Sequence, residues 1–330
     1  MARIVLGLGT SHSPQVSAPA ELWPGFTGLD SKRTSLLGRD GEFHDYAEVE
    51  REAGVRYEAE LTPEVWLEKH GRAQKAVAVL HDTFLAAAPD AAVIIGDDQT
   101  EWFGDDARPT FAVFRGAKIT DLPRSPAKLA ALAEPMRAAL WATHGEAPED
   151  YPALPELGEH LVRELAADEF DVTQVHAQPQ GRSLGHAFTF VRRRIMGERL
   201  VPVVPILVNT YYPPNQPSAR RCLNFGRSLR RAIQGWDGVG SVAVIASGGL
   251  SHIVVDEALD RRVIAAMSAP NPVGLAELPR HLLRAGTSEI LNWVVAAGAL
   301  EHLRMELIDY IPAYRSPAGT GVGMTFSRWQ

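Results

Sequence analysis

Residues 242–252 read Val-Ala-Val-Ile-Ala-Ser-Gly-Gly-Leu-Ser-His. The apolar run 242–246 is followed by Ser247, two glycines and then Leu250-Ser251-His252. A short apolar run without polar residues is typical of a strand buried on both faces of a sheet. The two glycines suit a tight turn or a close backbone approach. Apolar residues then recur at three- and four-residue intervals over residues 256–266, which predicts a helix. The order of strand, turn and helix indicates an α/β fold.

The same alternation recurs along the rest of the chain. Strand-like apolar runs lie at residues 4–8, 92–95, 110–114 and 201–208. Apolar spacing predicts further helices at residues 63–87, 126–141, 158–167, 217–233 and 288–300. Ser125 before Pro126 has the pattern of a helix N-cap with proline at the first helical position. We therefore predict a central mixed, largely parallel sheet flanked by helices.

The domain organisation follows from what the sequence lacks. It contains no internal repeat, low-complexity tract or Ser/Gly-rich linker, which favours one domain over residues 1–330. Residues 24–62 are the least regular part, because they are polar and charged and lie between the first strand and the first long helix. Long segments of this kind inside compact domains often carry function. We predict that they form an irregular excursion or lid.

Composition narrows the classes of partner and site. Of the 330 residues, 45% are hydrophobic and 22% charged, as in globular proteins. Against 33 basic side chains stand 40 acidic ones, and the arginines are mixed with acids, so we expect no nucleic-acid partner. The single cysteine, Cys222, excludes an intramolecular disulfide and a cysteine-cluster metal site, and fits a reducing compartment. The residue type to follow is therefore histidine, with 11 copies.

No segment has the pattern of a targeting or membrane sequence. The N-terminal residues lack the long apolar stretch of a signal peptide. The longest apolar-rich runs, such as residues 201–208, fall far short of the roughly 20 residues that span a bilayer. We expect a cytoplasmic protein without a membrane partner.

Polar side chains follow four of the predicted strands. His12 follows the first strand, Asp97-Asp98-Gln99 the second, Asn209-Thr210-Tyr211-Tyr212 the run 201–208, and His252 the run 242–246. Because reactive groups collect at the carboxyl ends of strands in open α/β sheets, we expect one convergent polar site. A single histidine in such a place more often caps a turn, and acids in such a loop are more often solvated. Among the acids we expect Asp98, with Gln99, to point inward.

A metal site of nitrogen and oxygen ligands needs a carboxylate beside the imidazoles. Iron(II) held by two histidines and one carboxylate keeps coordination positions open for a substrate and dioxygen. The sequence offers Glu289 at the start of the predicted helix 288–300, although a glutamate there is ordinarily a capping or dipole partner. Spacing alone therefore does not select Glu289.

Taken together, these segments resemble the class III extradiol ring-cleavage dioxygenases, specifically the catalytic subunit of the protocatechuate 4,5-dioxygenase type. The matching motifs run along nearly the whole chain. They are Gly9-Thr10-Ser11-His12-Ser13-Pro14, Ile94-Ile95-Gly96-Asp97-Asp98-Gln99, Pro109-Thr110-Phe111-Ala112-Val113, Gly185-His186-Ala187-Phe188, Val208-Asn209-Thr210-Tyr211-Tyr212-Pro213-Pro214, Arg221-Cys222, Ser247-Gly248-Gly249-Leu250-Ser251-His252, Gly286-Thr287-Ser288-Glu289 with Trp293, and Gly298-Ala299-Leu300.

The resemblance implies an iron(II) enzyme that opens the ring of a catechol-type aromatic, such as protocatechuate, gallate or a methylgallate-like compound, with dioxygen. It implies that His12 and Glu289 are metal ligands. It also implies that His252 is the acid/base histidine and that His186 is a second catalytic histidine near the substrate. Asn209, Tyr211 and Tyr212 are expected to bind the substrate as a wall facing its ring.

One position departs from the family pattern, because Gln99 stands where the second histidine ligand is expected. Three outcomes follow. Gln99 ligates the metal or holds a metal-bound water; His70 or His44 replaces the missing ligand; or the chain binds no iron. We favour a retained metal, since His12, His186, His252 and Glu289 are all present at matching positions.

Two other classes of function compete with the dioxygenase. A non-catalytic binding or signalling protein can use the same fold, and a zinc-dependent hydrolase can use histidine and carboxylate at strand ends. Oxygen uptake with a panel of catechols separates these classes. On base rates we expect a homo-oligomer, with a homodimer as the default.

Overall fold

The computed structural model describes residues 1–238 and 240–330. Its strands are β1 (Arg3–Thr10), β2 (Leu36–Leu37), β3 (Phe43–His44), β4 (Ala91–Asp97), β5 (Phe111–Phe114), β6 (Lys118–Asp121), β7 (Glu149–Pro152), β8 (Thr173–Val175), β9 (Val203–Val208), β10 (Ser241–Ser247), β11 (Met305–Tyr314) and β12 (Gly321–Trp329). Its α-helices are α1 (Pro14–Ser17), α2 (Pro24–Asp30), α3 (Tyr46–Ala53), α4 (Pro63–Ala87), α5 (Pro126–Ala131), α6 (Glu134–Ala138), α7 (Pro155–Ala167), α8 (His186–Phe190), α9 (Ala219–Gln234), α10 (Glu257–Ser268) and α11 (Ile290–Leu300).

Eight strands form one mixed sheet in the order β11-β12-β1-β10-β4-β9-β5-β8. The four central strands, β1, β10, β4 and β9, are parallel to one another. Antiparallel pairs flank them, with β12 beside β1 and β5 beside β9. The predicted mixed, largely parallel sheet flanked by helices is confirmed. Its parallel centre brings the carboxyl ends of β1, β10, β4 and β9 to one edge.

Helices cover both faces of the sheet because the central strands are apolar on both sides. On one face, Leu8, Ile94 and Ile245 pack in a core that includes α4. On the other face, Val93 and Val244 pack in a core that includes α9 and α11. Every residue of α11 is buried, so this helix lies inside the molecule and not on its surface. A buried α11 gives Glu289, the residue that precedes it, a fixed position.

Several predicted elements have the expected bounds. The helix predicted at residues 63–87 is α4, and Ser125 accepts a hydrogen bond from the backbone N–H of Lys128 as an N-cap. The single helix predicted at residues 126–141 is wrong, because the structure divides it into α5, α6 and a 3-10 turn at Leu140–Ala142. Leu132 and Ala133 have extended backbone angles that end α5, and Pro135 then starts a new helix.

Two segments differ from their description in the sequence analysis. Residues 24–62, predicted to be irregular, contain α2, the hairpin β2–β3 and α3. Helix α3 begins with a capping box between Asp45 and Glu48. The C-terminal hairpin β11–β12, absent from the predicted strands, pairs with β1 and extends the sheet.

In the part of the chain that the structure describes, no helix combines the length and the apolar character needed to cross a membrane.

Candidate active site

Three adjacent parallel strands carry the side chains that meet at the edge of the sheet. His12 lies two residues beyond the end of β1, Asp97 ends β4 and Ser247 ends β10. Thr10 and Ser247 are opposite each other in the β1–β10 pair, so His12 and Ser247 are brought together. The fourth contribution comes from Glu289, which precedes α11. The topology therefore assembles groups that lie far apart in the sequence.

The candidate metal site consists of His12, Asp97 and Glu289. One ligand atom from each lies within 4.8 Å of the other two, and all three residues are buried. Among these atoms, His12 Nε2 and Glu289 Oε2 are 3.4 Å apart. One imidazole and two carboxylates form a donor set that suits a divalent cation with nitrogen and oxygen preferences. The residues present fit a metal ion of this kind.

Ser247 orients the ring of His12. The hydroxyl of Ser247 donates to the carbonyl of Ala187, 2.6 Å away, and lies 2.9 Å from His12 Nδ1. Since that hydroxyl hydrogen is already used, His12 Nδ1 carries the hydrogen that Ser247 accepts. Nε2 is then directed toward Glu289. A second group that fixes the tautomer in this way is a common feature of metal-binding histidines.

His252 and His186 are anchored through their Nδ1 atoms as well. His252 Nδ1 donates to the carbonyl of Leu250 at 2.9 Å, and its Nε2 lies 3.2 Å from Glu289 Oε1. His186 Nδ1 is 2.6 Å from Glu101 Oε1, and the rings of His186 and His12 meet edge to face at 4.6 Å between centroids. Three imidazoles therefore present Nε2 to one space. Gly286 permits the position of His252, because any side chain there would collide with the ring.

Gln99 lies between the two carboxylates. Its Nε2 donates to Asp97 Oδ2 at 3.0 Å and to Glu289 Oε1 at 3.2 Å. Carboxylates accept hydrogen bonds, so the amide nitrogen and not the amide oxygen faces them. An amide nitrogen that donates in this way does not ligate a metal. In this arrangement Asp97 is the third group with a ligand atom at the site.

Burial and close charges shift the pKa values of the two carboxyls in opposite directions. Burial raises the pKa of Asp97 to about 6, and the charge of Glu289 adds to the rise. Burial also raises the pKa of Glu289, but His252 and His12 outweigh it and hold this pKa well below its usual range. Asn292 Nδ2 donates to Asp97 Oδ1 at 3.2 Å, and the backbone N–H of Gly249 donates to Glu289 Oε2 at 2.8 Å.

The groups around His186 and Tyr211 have fixed protonation near neutral pH. Burial by itself lowers the pKa of His186. The charge and hydrogen bond of Glu101 outweigh that effect and raise the pKa to about 9. The same pair brings the pKa of Glu101 to about 2 against the effect of its burial. Burial and the charge of Glu289 raise the pKa of Tyr211 well above its usual range, so its hydroxyl stays protonated and donates to Glu289 Oε1 at 3.2 Å.

These groups open into one cavity of about 970 Å³. His12, Gln99, His186, Tyr211, His252 and Glu289 line it, so the structure brings these six predicted residues together. Residues from the segment 24–62 line it as well, including Phe26, Leu29, Leu36 and Leu37. The volume is at the upper end of the usual range for small-molecule pockets. The cavity accommodates an aromatic ring with its substituents.

The structure does not bring the other predicted residues to this group. Asn209 Nδ2 donates to the carbonyl of Tyr212 at 2.7 Å, which fixes the turn after β9 and not a cavity wall. The ring of Tyr212 lies under the guanidinium of Arg108, 3.7 Å away. His70, on α4, is 3.3 Å from Gln74, and His44 is paired with Asp40 at 2.9 Å near the surface.

Three acids at the end of β4 and in the loop after it had different surroundings from those expected. Asp98 is buried, as expected of an inward side chain, but it does not line the site cavity. Its carboxylate accepts the backbone N–H groups of Trp102 and Phe103 at 2.7 and 3.1 Å. Asp97, which the sequence analysis left among solvated acids, is fully buried at the site. Glu101, another acid in the loop after β4, anchors His186. The sequence analysis ended this strand at residue 95, whereas β4 continues to Asp97. The carboxylate at the site is therefore the last residue of the strand.

Comparisons with known proteins agree with this geometry. A sequence model of the family described as "Catalytic LigB subunit of aromatic ring-opening dioxygenase" matches residues 83–325. A gallate dioxygenase from Pseudomonas putida is 34% identical to the chain over 122 residues. That alignment covers 35% of this chain and 34% of the relative, so the chain spans about a third of the length of the curated enzyme it matches.

Proposed function

The chain belongs to the LigB family of catalytic subunits of aromatic ring-opening dioxygenases, and from this premise we propose that it is an iron(II)-dependent extradiol dioxygenase. Its substrate would be a catechol-type aromatic such as protocatechuate, gallate or a methylgallate-like compound, with dioxygen as the second substrate. The observation that carries this proposal is the buried group His12, Asp97 and Glu289, of which His12 and Glu289 line one cavity.

His12, Asp97 and Glu289 would hold the cation. A divalent cation at this position supplies positive charge that favours the deprotonated form of a catechol. Gln99 would keep the two carboxylates in place by donating to both. In this arrangement Asp97 takes the place of the histidine that the family pattern has, and Gln99 is not itself a ligand.

His252 would accept a phenolic proton. Its Nδ1–H is held by the carbonyl of Leu250, so Nε2 is the nitrogen that exchanges a proton with the substrate. An imidazole suits this task because its pKa lies near neutrality before local effects. His186, which stays protonated beside Glu101, would donate a hydrogen bond to a substrate hydroxyl. Tyr211 holds Glu289 by donating to the same oxygen, Oε1, that His252 faces.

The segment 24–62 would cover the bound substrate. Phe26 and Leu29 of α2, together with Leu36 and Leu37 of β2, give that side of the cavity an apolar surface. An apolar surface over the ring excludes water from the reacting diol. The lid role predicted for this segment remains part of the proposal.

The test is oxygen uptake after anaerobic loading with iron(II), with protocatechuate, gallate and methylgallate as substrates. We expect the wild type to bind iron and take up oxygen with at least one of them. Asp97→Asn should lose most of the bound iron and the oxygen uptake, whereas Asp106→Asn, an exposed position in the same loop, should keep both. A wild type that holds no iron, or that turns over an ester with zinc and without oxygen, would overturn the proposal.

His252→Gln separates proton transfer from metal binding. His252 is not one of the proposed ligands His12, Asp97 and Glu289, and its ring is held by the carbonyl of Leu250. The variant should therefore retain iron. Its rate of oxygen uptake should fall by about 10²–10⁴, the usual effect of losing a general base. Loss of iron in this variant would instead make His252 a ligand.

A further inference from the structure

The hydroxyl of Thr287 makes two hydrogen bonds to the backbone of one residue, His252. Thr287 is buried in the 3-10 helix Ala285–Glu289, two residues before Glu289. The backbone N–H of His252 donates to Thr287 Oγ1 at 3.1 Å, and that hydroxyl donates to the carbonyl oxygen of His252 at 2.9 Å. A hydroxyl has one hydrogen to donate and lone pairs that accept, so it makes both bonds at once.

The backbone of His252 depends on these two bonds. Among the residues that the structure describes, Thr287 is the one hydrogen-bond partner of the N–H and of the carbonyl of His252. The carbonyls of Ser251 and Ile253 instead accept backbone N–H groups of β12 at 2.9 and 2.7 Å. Buried backbone groups in native proteins are nearly always paired. Thr287 therefore holds the part of this turn that β12 does not reach.

The ring of His252 has little freedom of its own. Its Nδ1 donates to the carbonyl of Leu250 at 2.9 Å. Gly286, the residue before Thr287, lies so close to the ring that a Cβ there would overlap Cδ2. With the ring held in this way, the position of Nε2 follows the position of the His252 backbone. That position is set by the hydroxyl of Thr287.

The same short helix carries the metal-site carboxylate. Thr287 and Glu289 are two residues apart, and Glu289 leads directly into the fully buried α11. Nε2 of His252 lies 3.2 Å from Glu289 Oε1. The hydroxyl of Thr287 thus connects the nitrogen proposed to exchange a proton with the segment that holds a proposed metal ligand. Displacements of about 1 Å at a reacting group can lower a rate by about 10²-fold.

Thr287 has no direct access to a substrate. Of the described residues in this short helix, Gly286 and Glu289 line the cavity, whereas Thr287 does not. Its hydroxyl hydrogen is already donated to the carbonyl of His252. Any effect of Thr287 on a reaction in the cavity therefore acts through His252.

We propose that Thr287 is a positioning residue, whose hydroxyl fixes the backbone of His252 and so keeps Nε2 at a set distance from the metal site. The inference rests on the proposed function for the task of His252, and it adds Thr287 to the groups on which the rate depends. Removing the hydroxyl should lower the rate without weakening metal or substrate binding, because Thr287 contacts neither.

The first test is hydrogen exchange at the backbone amide of His252, which needs no turnover. Thr287→Val keeps the shape of the side chain without the hydroxyl, and Thr287→Ser keeps the hydroxyl. We expect exchange at least about tenfold faster in Thr287→Val and within about threefold of the wild type in Thr287→Ser. Thr83→Val, which removes a buried hydroxyl bonded to the carbonyl of Val79 on α4, should leave this amide unchanged. Unchanged exchange in Thr287→Val would overturn the proposal.

The second test combines oxygen uptake with competition for iron(II) by a chelator. We expect kcat to fall at least about tenfold in Thr287→Val, with KM for protocatechuate and the iron affinity within about twofold of the wild type. Thr287→Ser should recover most of kcat, and Thr83→Val should resemble the wild type. Thr287→Ala, which also lacks the hydroxyl, should behave as Thr287→Val in both tests and replaces it if valine prevents folding.

The outcomes separate this inference from the proposed function. If the wild type oxidises diols but kcat is the same in Thr287→Val, the positioning role fails and the proposed function stands. If Thr287→Val loses iron together with rate, the role also fails, because Thr287 would then support a metal ligand and not His252. If exchange at His252 follows the expected pattern but no diol is oxidised, the proposed function fails and the hold of Thr287 on His252 stands.

Discussion

At the scale of single residues, Gln99 explains how a site can persist where the family pattern has a histidine. Two buried carboxylates next to each other repel, and a metal or a hydrogen-bond donor is needed to hold them together. The side-chain amide of Gln99 donates to Asp97 and to Glu289 from between them. In the proposed site Asp97 is a ligand, and the amide at residue 99 is a hydrogen-bond donor shared by the two carboxylates. Gln99 therefore has a positioning role in the proposed site.

Gln99→Leu tests that positioning role. Leucine has a similar size but donates no hydrogen bond, so the two carboxylates lose their shared partner. We expect iron affinity, measured by competition with a chelator, to fall by about 10–100-fold, as is usual when a group that orients metal ligands is removed. Gln180→Leu, at an exposed position, serves as the control. An unchanged affinity would show that Gln99 does not support the carboxylates.

The sequence indicated some of these residues and not others. His12, His252 and Glu289 lie in motifs with neighbouring glycines and serines, so their segments can be recognised without a structure. Asp97 and Asp98 are consecutive, and consecutive strand residues point to opposite sides. Only the observed end of β4 decides which of them is buried at the site and which holds the following loop.

At the scale of elements, α10 fixes the turn that carries His252. Asp260 of α10 accepts from both the backbone N–H and the hydroxyl of Ser251, each at 2.8 Å. The hydroxyl of Tyr310, on β11, donates to the same carboxylate at 2.8 Å. Burial raises the pKa of Asp260 to about 7 in spite of these donors. Asp260 therefore connects the turn to both α10 and the C-terminal hairpin.

The raised pKa of Asp260 predicts a pH dependence of stability. The ordinary pKa is 3.8, so between about pH 4 and pH 7 the unfolded chain loses this proton while the folded chain keeps it. The free energy of unfolding should then decrease as the pH rises through this interval and level off above about pH 7. Relative to the wild type, Asp260→Asn should gain at most about 4 kcal/mol over that interval, since asparagine does not titrate.

Chemical denaturation at several pH values measures this effect. Asp82→Asn, at an exposed position on α4, should follow the wild-type profile. Parallel profiles for the wild type and Asp260→Asn would contradict the prediction, because they would mean that Asp260 has the same pKa in the folded and unfolded chains.

Element types were predictable where a single apolar period dominates, as in β1, β10 and α4. They were not predictable where tertiary pairing decides. In β11, Glu306 and Leu307 are exposed while Ile311 and Ala313 are buried, so the strand has no continuous pattern of its own. Its conformation depends on pairing with β12, and a sequence window does not contain that partner. Proline at residue 135 divided the predicted helix 126–141 for a local reason that the sequence did contain.

At the scale of the whole molecule, one buried ion pair joins the segment 24–62 to the C-terminal hairpin. Arg315, which follows β11, donates from Nε and Nη2 to the two carboxylate oxygens of Asp30 at 2.7 and 3.0 Å. Thr320 donates to Asp30 at 2.7 Å, and Arg315 Nη1 donates to Gln15 at 3.1 Å. The charged groups are thus fully paired. This pair holds α2, and with it one side of the cavity, against the body of the protein.

Breaking that pair should destabilise the protein more than removing it. Arg315→Met leaves the buried carboxylate of Asp30 with the half-exposed Arg33, 3.4 Å away, as its remaining cation partner. We expect a loss of about 3 kcal/mol in the free energy of unfolding. The double variant Asp30→Leu with Arg315→Met removes both charges and should lose less than Arg315→Met alone. Arg220→Met, which breaks an exposed pair with Glu277, should cost at most about 1 kcal/mol. Because the pair anchors α2, limited proteolysis should cut the segment 24–62 faster in Arg315→Met than in Arg220→Met. The loss in the double variant can be compared with the sum of the losses in Asp30→Leu and Arg315→Met measured separately. If the two values are equal, Asp30 and Arg315 are not coupled, and other contacts hold this segment over the cavity.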